Sequence, residues 1–272
     1  MPNESNRLLI FGAHPDDGDV KAGGLAALYS GRGFAVQMVS LTNGDAGHHE
    51  MGGAPLAWRR RQEAEAAGAR LGAEYLVLDT HDGELLPALE VRHRVVAIIR
   101  RFKPDLIVCP RPWDYHPDHR ATAQVVLDAL YMSTVPNIVS GVPHLRHMPV
   151  ALYAWDHFTR PYPFVADVVI DIGAVIERKI EALSCHASQV YEWLPYNRSE
   201  LGTVPSEPAE RLAWLKERFG GYLSGLAEMY REQLVARYGP ERGRAVRYAE
   251  AFEVSEYGAP LTPEAADKLL PF

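Results

Sequence analysis

The apolar positions of this 272-residue chain alternate between two periods over its first half. Short, mostly apolar runs at residues 8–11, 35–41, 74–78 and 106–109 have the length and composition of buried strands. Between them, residues 21–30, 56–71, 89–102 and 118–132 carry apolar side chains at helical spacing. Gly31 and Gly33 stop the first of these segments, Gly72 the second, and Lys103-Pro104 the third. This alternation predicts an α/β fold, Rossmann-like, with a mostly parallel sheet and helices on both faces. Beyond Pro143 the rhythm loosens. Residues 150–155 and 165–172 read as strands at a sheet edge, and 175–188 as a helix. Residues 198–208 read as a polar flexible loop, and 211–238 as a helix broken around Phe219-Gly220-Gly221. No repeat or low-complexity tract marks a boundary. The expectation is one domain over residues 1–272, with an extended C-terminal helical region from about residue 205 to 272.

Open parallel sheets bind ligands outside the carboxyl ends of their strands. Two short motifs fall there. His14-Pro15-Asp16-Asp17 follows the first strand, and His116-Pro117-Asp118-His119 follows the fourth. Gly12 and Ala13 leave room for a turn before the first motif. His14 and Asp17 can then ligate one metal while Asp16 faces substrate; read alone, the run is equally a turn with an Asp helix cap. If Pro117 opens a helix, His116 and His119 lie near one face of its first turn. Asp118 is then placed to orient one imidazole. Alone, this run is equally a polar loop. Two such motifs at equivalent positions of one sheet favour a single divalent-metal site, with carboxylate and imidazole left over for acid–base work. That is the constellation of a metal-dependent hydrolase.

Other polar groups follow the remaining strands. The loop of residues 43–50 is rich in His and should border the same pocket; His48 can contact substrate or hold a second metal, while His49 and Glu50 read as exposed. His81 and Asp82 follow the third strand and either line the pocket or form a turn at Asp82-Gly83. His157 is a further candidate for the pocket. His93, His144, His147 and His186 read as surface or packing residues, and Cys109 as a small buried thiol. Trp113 and Tyr115 can pack on a sugar face or in the core. No dinucleotide fingerprint, P-loop or nucleophile elbow is present in the sequence.

Composition narrows the class. The 47% hydrophobic content permits a sizeable core, and a net charge of −7 with interspersed signs argues against a nucleic-acid surface. No stretch approaches the roughly 20 apolar residues of a membrane span. The polar start, residues 1–7, lacks a signal-peptide core. With two cysteines there is no disulfide framework and no cysteine zinc cluster. The expectation is a cytoplasmic homo-oligomer with no membrane or nucleic-acid partner.

The motifs, together with Arg60 and Glu63 before Leu71-Gly72, Lys103-Pro104-Asp105, Arg120, Asp171-Ile172, Lys179 and Ala182-Leu183, resemble those of the LmbE-like, or PIG-L, deacetylases. The resemblance extends to about Ser188. It implies a zinc-dependent amide hydrolase that removes acetyl groups from N-acetylglucosaminyl compounds, with another divalent ion such as Fe2+ as the alternative cofactor. It implies His14, Asp17 and His119 as metal ligands and Asp16 as general base. His116, in its protonated form and backed by Asp118, would stabilise the oxyanion or act as the acid. Arg60, with Asp82 and the His48 loop, would contact a small N-acetylated sugar or its glycoside. The chain departs from the family where Gly18-Asp19 replaces the usual Glu after the double Asp, which leaves the local helix start open. The rival readings are the same machinery acting on a different amide or an ester, and a non-catalytic metal- or sugar-binding module. Retention of Asp16 and His116 argues against the module.

Overall fold

The computed structural model describes residues 6–272; for residues 1–5, the polar start noted above lies outside the described residues. The alternation read from the sequence is realised as β1 (Arg7–Gly12), α1 (Asp17–Gly31), β2 (Ala35–Thr42), α2 (Gly53–Leu71), β3 (Glu74–Thr80), α3 (Leu89–Phe102), β4 (Leu106–Cys109) and α4 (Pro117–Met132). Then come β5 (Val150–Ala154), β6 (Val168–Asp171), α5 (Ile176–Cys185), a π-helical turn (Ser188–Trp193) and α6 (Leu194–Asn197). The chain closes with α7 (Pro208–Met229), α8 (Arg231–Tyr238), α9 (Pro240–Ala245), β7 (Ala249–Val254) and α10 (Pro263–Leu269). The sheet has the order β3-β2-β1-β4-β5-β7-β6. Its first five strands are parallel, and β7 runs antiparallel to both β5 and β6.

Strand β1 is apolar from Leu8 to Phe11 because both its faces are covered. Leu8 and Ile10 pack with Leu25 of α1, Leu71 of α2 and Ile180 of α5. Leu9 and Phe11 face the opposite layer, with Ile99 of α3 and Val126 of α4. Both His motifs therefore sit at the carboxyl ends of the central strands β1 and β4, above a core closed on two sides.

Three expectations need correction. Helix α1 starts at Asp17 rather than near Lys21, so the Gly18-Asp19 departure does not delay it. Helix α7 runs unbroken through Gly220-Gly221. Gly220 is buried there and lies close to the Tyr248 ring, so packing offsets its low helix propensity. The C-terminal region is not only helical, because β7 enters the sheet between β5 and β6. Glu250 and Glu253 disguise this strand in the sequence, but both are buried against partners.

Glu250 shows why the burial is tolerated. Helix α1 bends at Ala22 (φ −142°) and breaks its own hydrogen-bond ladder. The Glu250 carboxylate enters the gap and accepts from the Gly24 and Leu25 N–H groups at 2.7 and 2.8 Å. Lys179 of α5 donates to the freed Val20 carbonyl at 2.7 Å and to Glu250 at 2.6 Å. A side-chain pair thus replaces a missing rung, a recognised cause of helix bending. Gly24 is required by the close approach: a Cβ there would stand 2.6 Å from Ile172 Cγ2. Lys179→Met would strand the buried carboxylate and is expected to cost about 3–5 kcal/mol. A lowered urea midpoint should show it, with partial recovery in Lys179→Met/Glu250→Gln. An unchanged midpoint in the single variant would refute the role.

Candidate metal and active site

The first motif is a turn folded back on β1. Asp17 Oδ2 accepts the N–H groups of Ala13 and His14, each at 2.9 Å. A Cβ on Gly12 would lie 2.7 Å from that of Asp17, so glycine is needed for the turn to close. From β2, Thr42 Oγ1 and Ser40 Oγ both donate to the Ala13 carbonyl, at 2.8 and 3.0 Å. In the second motif His116 caps α4, its Nδ1 accepting the Asp118 N–H at 3.2 Å, and Pro117 opens the helix. His119 follows on the first turn and points at the first motif.

Three donor atoms form a triangle: His14 Nδ1 to Asp17 Oδ2 is 3.5 Å, Asp17 Oδ2 to His119 Nε2 is 3.4 Å, and His119 Nε2 to His14 Nδ1 is 3.2 Å. A tetrahedral ion with ligands at ~2.0–2.1 Å sets its donors about 3.3 Å apart. The triangle therefore fits one divalent ion with a coordination position left open. Both imidazoles are braced on their other nitrogen, as ligating histidines usually are. His14 Nε2 lies 3.0 Å from Asp82 Oδ1 and 3.4 Å from Asp118 Oδ2, and His119 Nδ1 lies 3.1 Å from Asp114 Oδ1. Two other sets of donors converge on His14, one with His116 and His119 and one with Asp82 and Asp118. In the first, His116 Nδ1 is already engaged by the Asp118 N–H. In the second, the carboxylates face the outer nitrogen of His14.

The charge distribution agrees. Without an ion, burial pushes the His14 imidazole down, but the nearby carboxylates of Asp118, Asp17 and Asp82 hold it well above its ordinary value. Burial likewise opposes the charge on His119, yet Asp17 and Asp114 raise it. Asp17 is lowered, against its burial, by the charges of His119 and His14. Carboxylates thus draw positive charge to this point. His116 moves the other way: burial, then the charges of His14 and His119, lower it. With its Nδ1 accepting from backbone, neutral His116 carries its proton on Nε2 and is already a donor. The direction of the shift runs against the protonated form expected from the sequence.

The remaining candidates are placed unevenly. The Asp16 N–H donates to the His14 carbonyl at 2.8 Å, and its carboxylate is anchored at one oxygen by Arg60 Nη2, 2.9 Å away. Arg60 also donates to the Gly44 carbonyl at 3.1 Å and is almost fully buried. It therefore stands behind Asp16 rather than against a ligand. Asp82 stands behind His14. His48 donates from Nε2 to Glu192 at 2.9 Å, and its Nδ1 accepts the Glu50 and Met51 N–H groups. With both nitrogens engaged, it is not a free ligand for a second metal. Asp118 accepts from the Gly83 and Leu85 N–H groups and reaches His14, not His116. A cavity of about 360 Å³ opens beside Asp16, Asp17 and His119; His157 and Tyr115 reach its wall, while His14, His116, Arg60, Asp82 and His48 do not. Cys109 is buried and its thiol is pushed up to about 12 by that burial. His186 is also fully buried, 3.1 Å from Asp19. Sequence reasoning missed Asp114; its signal was a carboxylate five residues before His119, on the loop that leads into α4.

The family model described as PIG-L, GlcNAc-PI de-N-acetylase, matches residues 9–130, which include both motifs. A diacetylchitobiose deacetylase of Thermococcus kodakarensis is 30% identical over 213 residues, covering 72% of this chain and 77% of that one. A 4-oxalmesaconate hydratase of Pseudomonas putida is 28% identical over 210 residues, covering 74% and 81%. Among solved structures, the N,N'-diacetylchitobiose deacetylase of Pyrococcus horikoshii superposes with a TM-score of 0.72 at 25% identity, covering 93% of this chain and 85% of that one. The chain belongs to the PIG-L, or LmbE-like, family, a class of metal-dependent enzymes that hydrolyse N-acetyl amides. No helix among the described residues is long and apolar enough to cross a membrane.

Metal analysis should find one divalent ion per chain, retained in His116→Ala and lost in Asp17→Ala and His119→Ala. Asp114→Asn should keep the ion but bind it about 10–100-fold more weakly in a chelator competition. Full occupancy in Asp17→Ala and His119→Ala would exclude the triangle.

Proposed function

We infer that this chain removes the acetyl group from an N-acetylated amino sugar or its glycoside, using a divalent ion held by His14, Asp17 and His119. The observation that carries the reading is the donor triangle with Asp16 anchored beside it on the cavity side. Two imidazoles and one carboxylate suit zinc, with Fe2+ served by the same donors. Such an ion, when bound, supplies Lewis-acid chemistry: it acidifies water and polarises a carbonyl oxygen.

The protein groups complete the reaction. Asp16 and Asp17 are neighbours with opposite duties. Two backbone N–H groups hold Asp17 toward the triangle, and Arg60 holds one oxygen of Asp16. The other Asp16 oxygen is left to take a proton from the attacking water. The Nε2–H of His116 is a preset donor for the oxyanion that develops on the amide carbonyl. Protonated Asp16 then delivers its proton to the departing amine. The acetyl group leaves as acetate, and the sugar as its free amine.

The Pseudomonas relative acts as a hydratase, and a water-activating site can also hydrate a double bond. That reading fits this cavity less well. A polycarboxylate needs several free cations, but this wall carries Asp16, Asp17, Asp114 and Asp156. Against these four carboxylates stand Lys21, Arg198 and Arg218, of which Arg218 is paired with Glu200 and Lys21 donates to the Trp155 carbonyl.

Amine release from N-acetylglucosamine compounds should occur with the metal-loaded chain, stop on chelation and return on adding zinc. Asp16→Asn should keep its metal while kcat falls about 10²–10⁴-fold. Arg60→Met should lower kcat more than it raises KM, because Arg60 positions the base. Near-normal turnover in metal-replete Asp16→Asn would end the base assignment.

A further inference from the structure

The cavity is larger and more apolar than an acetyl group requires. Its catalytic end is polar, with Asp16, Asp17, Asp114 and His119. The rest of the wall is mainly aromatic and aliphatic, with Asp156, His157, Arg198 and Arg218 among the apolar groups: Trp155 and Phe158 after β5, Leu194 of α6, and Trp214, Phe219 and Tyr222 of α7. On α7 these residues share one face, since 214, 218 and 222, like 215 and 219, are spaced by four. The two ends have different origins. The catalytic end lies within residues 9–130, and every one of those six apolar wall residues lies beyond them. A sugar ring can stack on one aromatic face, but its rim of hydroxyls needs polar partners around it. Here the apolar side chains outnumber the polar ones, and Arg218 is already paired with Glu200. A pocket of a few hundred Å³, mainly apolar with polar groups converging at one point, is the usual form of a site for a ligand with an apolar body.

We propose that the C-terminal part of the chain builds a specificity chamber, and that the substrate carries a bulky apolar group beside the scissile amide. This rests on the amide-hydrolase reading of the catalytic end and names its substrate class. The apolar group has two possible sources: an acyl chain longer than acetyl, or an apolar aglycone on the amino sugar. Each methylene buried in such a chamber ordinarily gains about three- to fourfold in affinity.

The test uses the full, metal-loaded chain. One arm follows kcat/KM across N-acylglucosamines from acetyl to octanoyl. The other compares methyl, 4-nitrophenyl and octyl glycosides of N-acetylglucosamine. A rise of about 30-fold or more along one series is expected, and which series rises identifies the source. Trp214→Ala and Phe219→Ala should each flatten that rise, while Trp214→Phe should preserve most of it. A second readout is independent of turnover. Octyl glucosaminide, an amine product, should quench the fluorescence of the wall tryptophans, Trp155 and Trp214, at far lower concentration than methyl glucosaminide. Flat series in both arms, with no tighter binding of the octyl ligand, would overturn the chamber. Tight octyl binding with no amide cleaved by the metal-loaded chain would instead sink the hydrolase reading and leave the chamber standing.

Discussion

The site depends on where the first turn of α1 is held, and a buried ion pair holds it. The bend at Ala22 leaves α1 unable to satisfy its own backbone between Val20 and Leu25. Glu250 and Lys179 fill that gap from β7 and α5. A buried carboxylate is tolerable only with its cation and its hydrogen bonds in place. All of them are present, so the helix is pinned from two elements far apart in the chain. Upstream of the bend, the same helix delivers Asp17 to the triangle, Asp19 to the buried His186 and Lys21 to the cavity wall. A shift of α1 would move all of these groups together.

At the carboxyl ends of β1 and β4, each reactive group is fixed by a partner that does no chemistry. Backbone N–H groups fix Asp17, Arg60 fixes Asp16, Asp82 and Asp118 brace His14, Asp114 braces His119, and the start of α4 sets the tautomer of His116. Adjacent carboxylates would repel and behave alike in water. Here Asp17 is aimed by two backbone dipoles and Asp16 by a guanidinium, so the two neighbours face different partners. Crowding carboxylates around two imidazoles is unfavourable in isolation. It makes the centre a strong attractor for a divalent cation, and it raises His14 and His119 when none is bound. The rigidity of the site follows from burial: groups shielded from water keep the geometry that their few partners impose.

The division of labour along the chain is also physical. Parallel strands present their carboxyl ends to one side of the sheet, so groups that must meet a common ion come from successive strand ends. Strand β7 enters antiparallel between β5 and β6, and α7, which precedes it in the chain, lies back over that side. Helix α7 then closes the cavity without contributing to the triangle.

The sequence by itself determined the α/β alternation, because periods of 2 and 3.6 are local consequences of backbone geometry. It also marked the site: His-Pro-Asp-Asp and His-Pro-Asp-His are short enough for spacing alone to place His14, Asp17 and His119 at strand ends. What lay beyond it were contacts made across the fold. Arg60, Asp82 and His48 read as substrate-facing because each follows a strand or resembles a family position, yet their partners turn them inward, and those partners are distant in sequence. Asp118 braces His14 rather than its neighbour His116 for the same reason. Strand β7 was hidden because Glu250 and Glu253 look solvated until Lys179 and Arg111 are brought beside them. Local periodicity is written in the chain. The burial and pairing of a charge are set only when distant segments pack, and at this site they decide which partner each carboxylate faces.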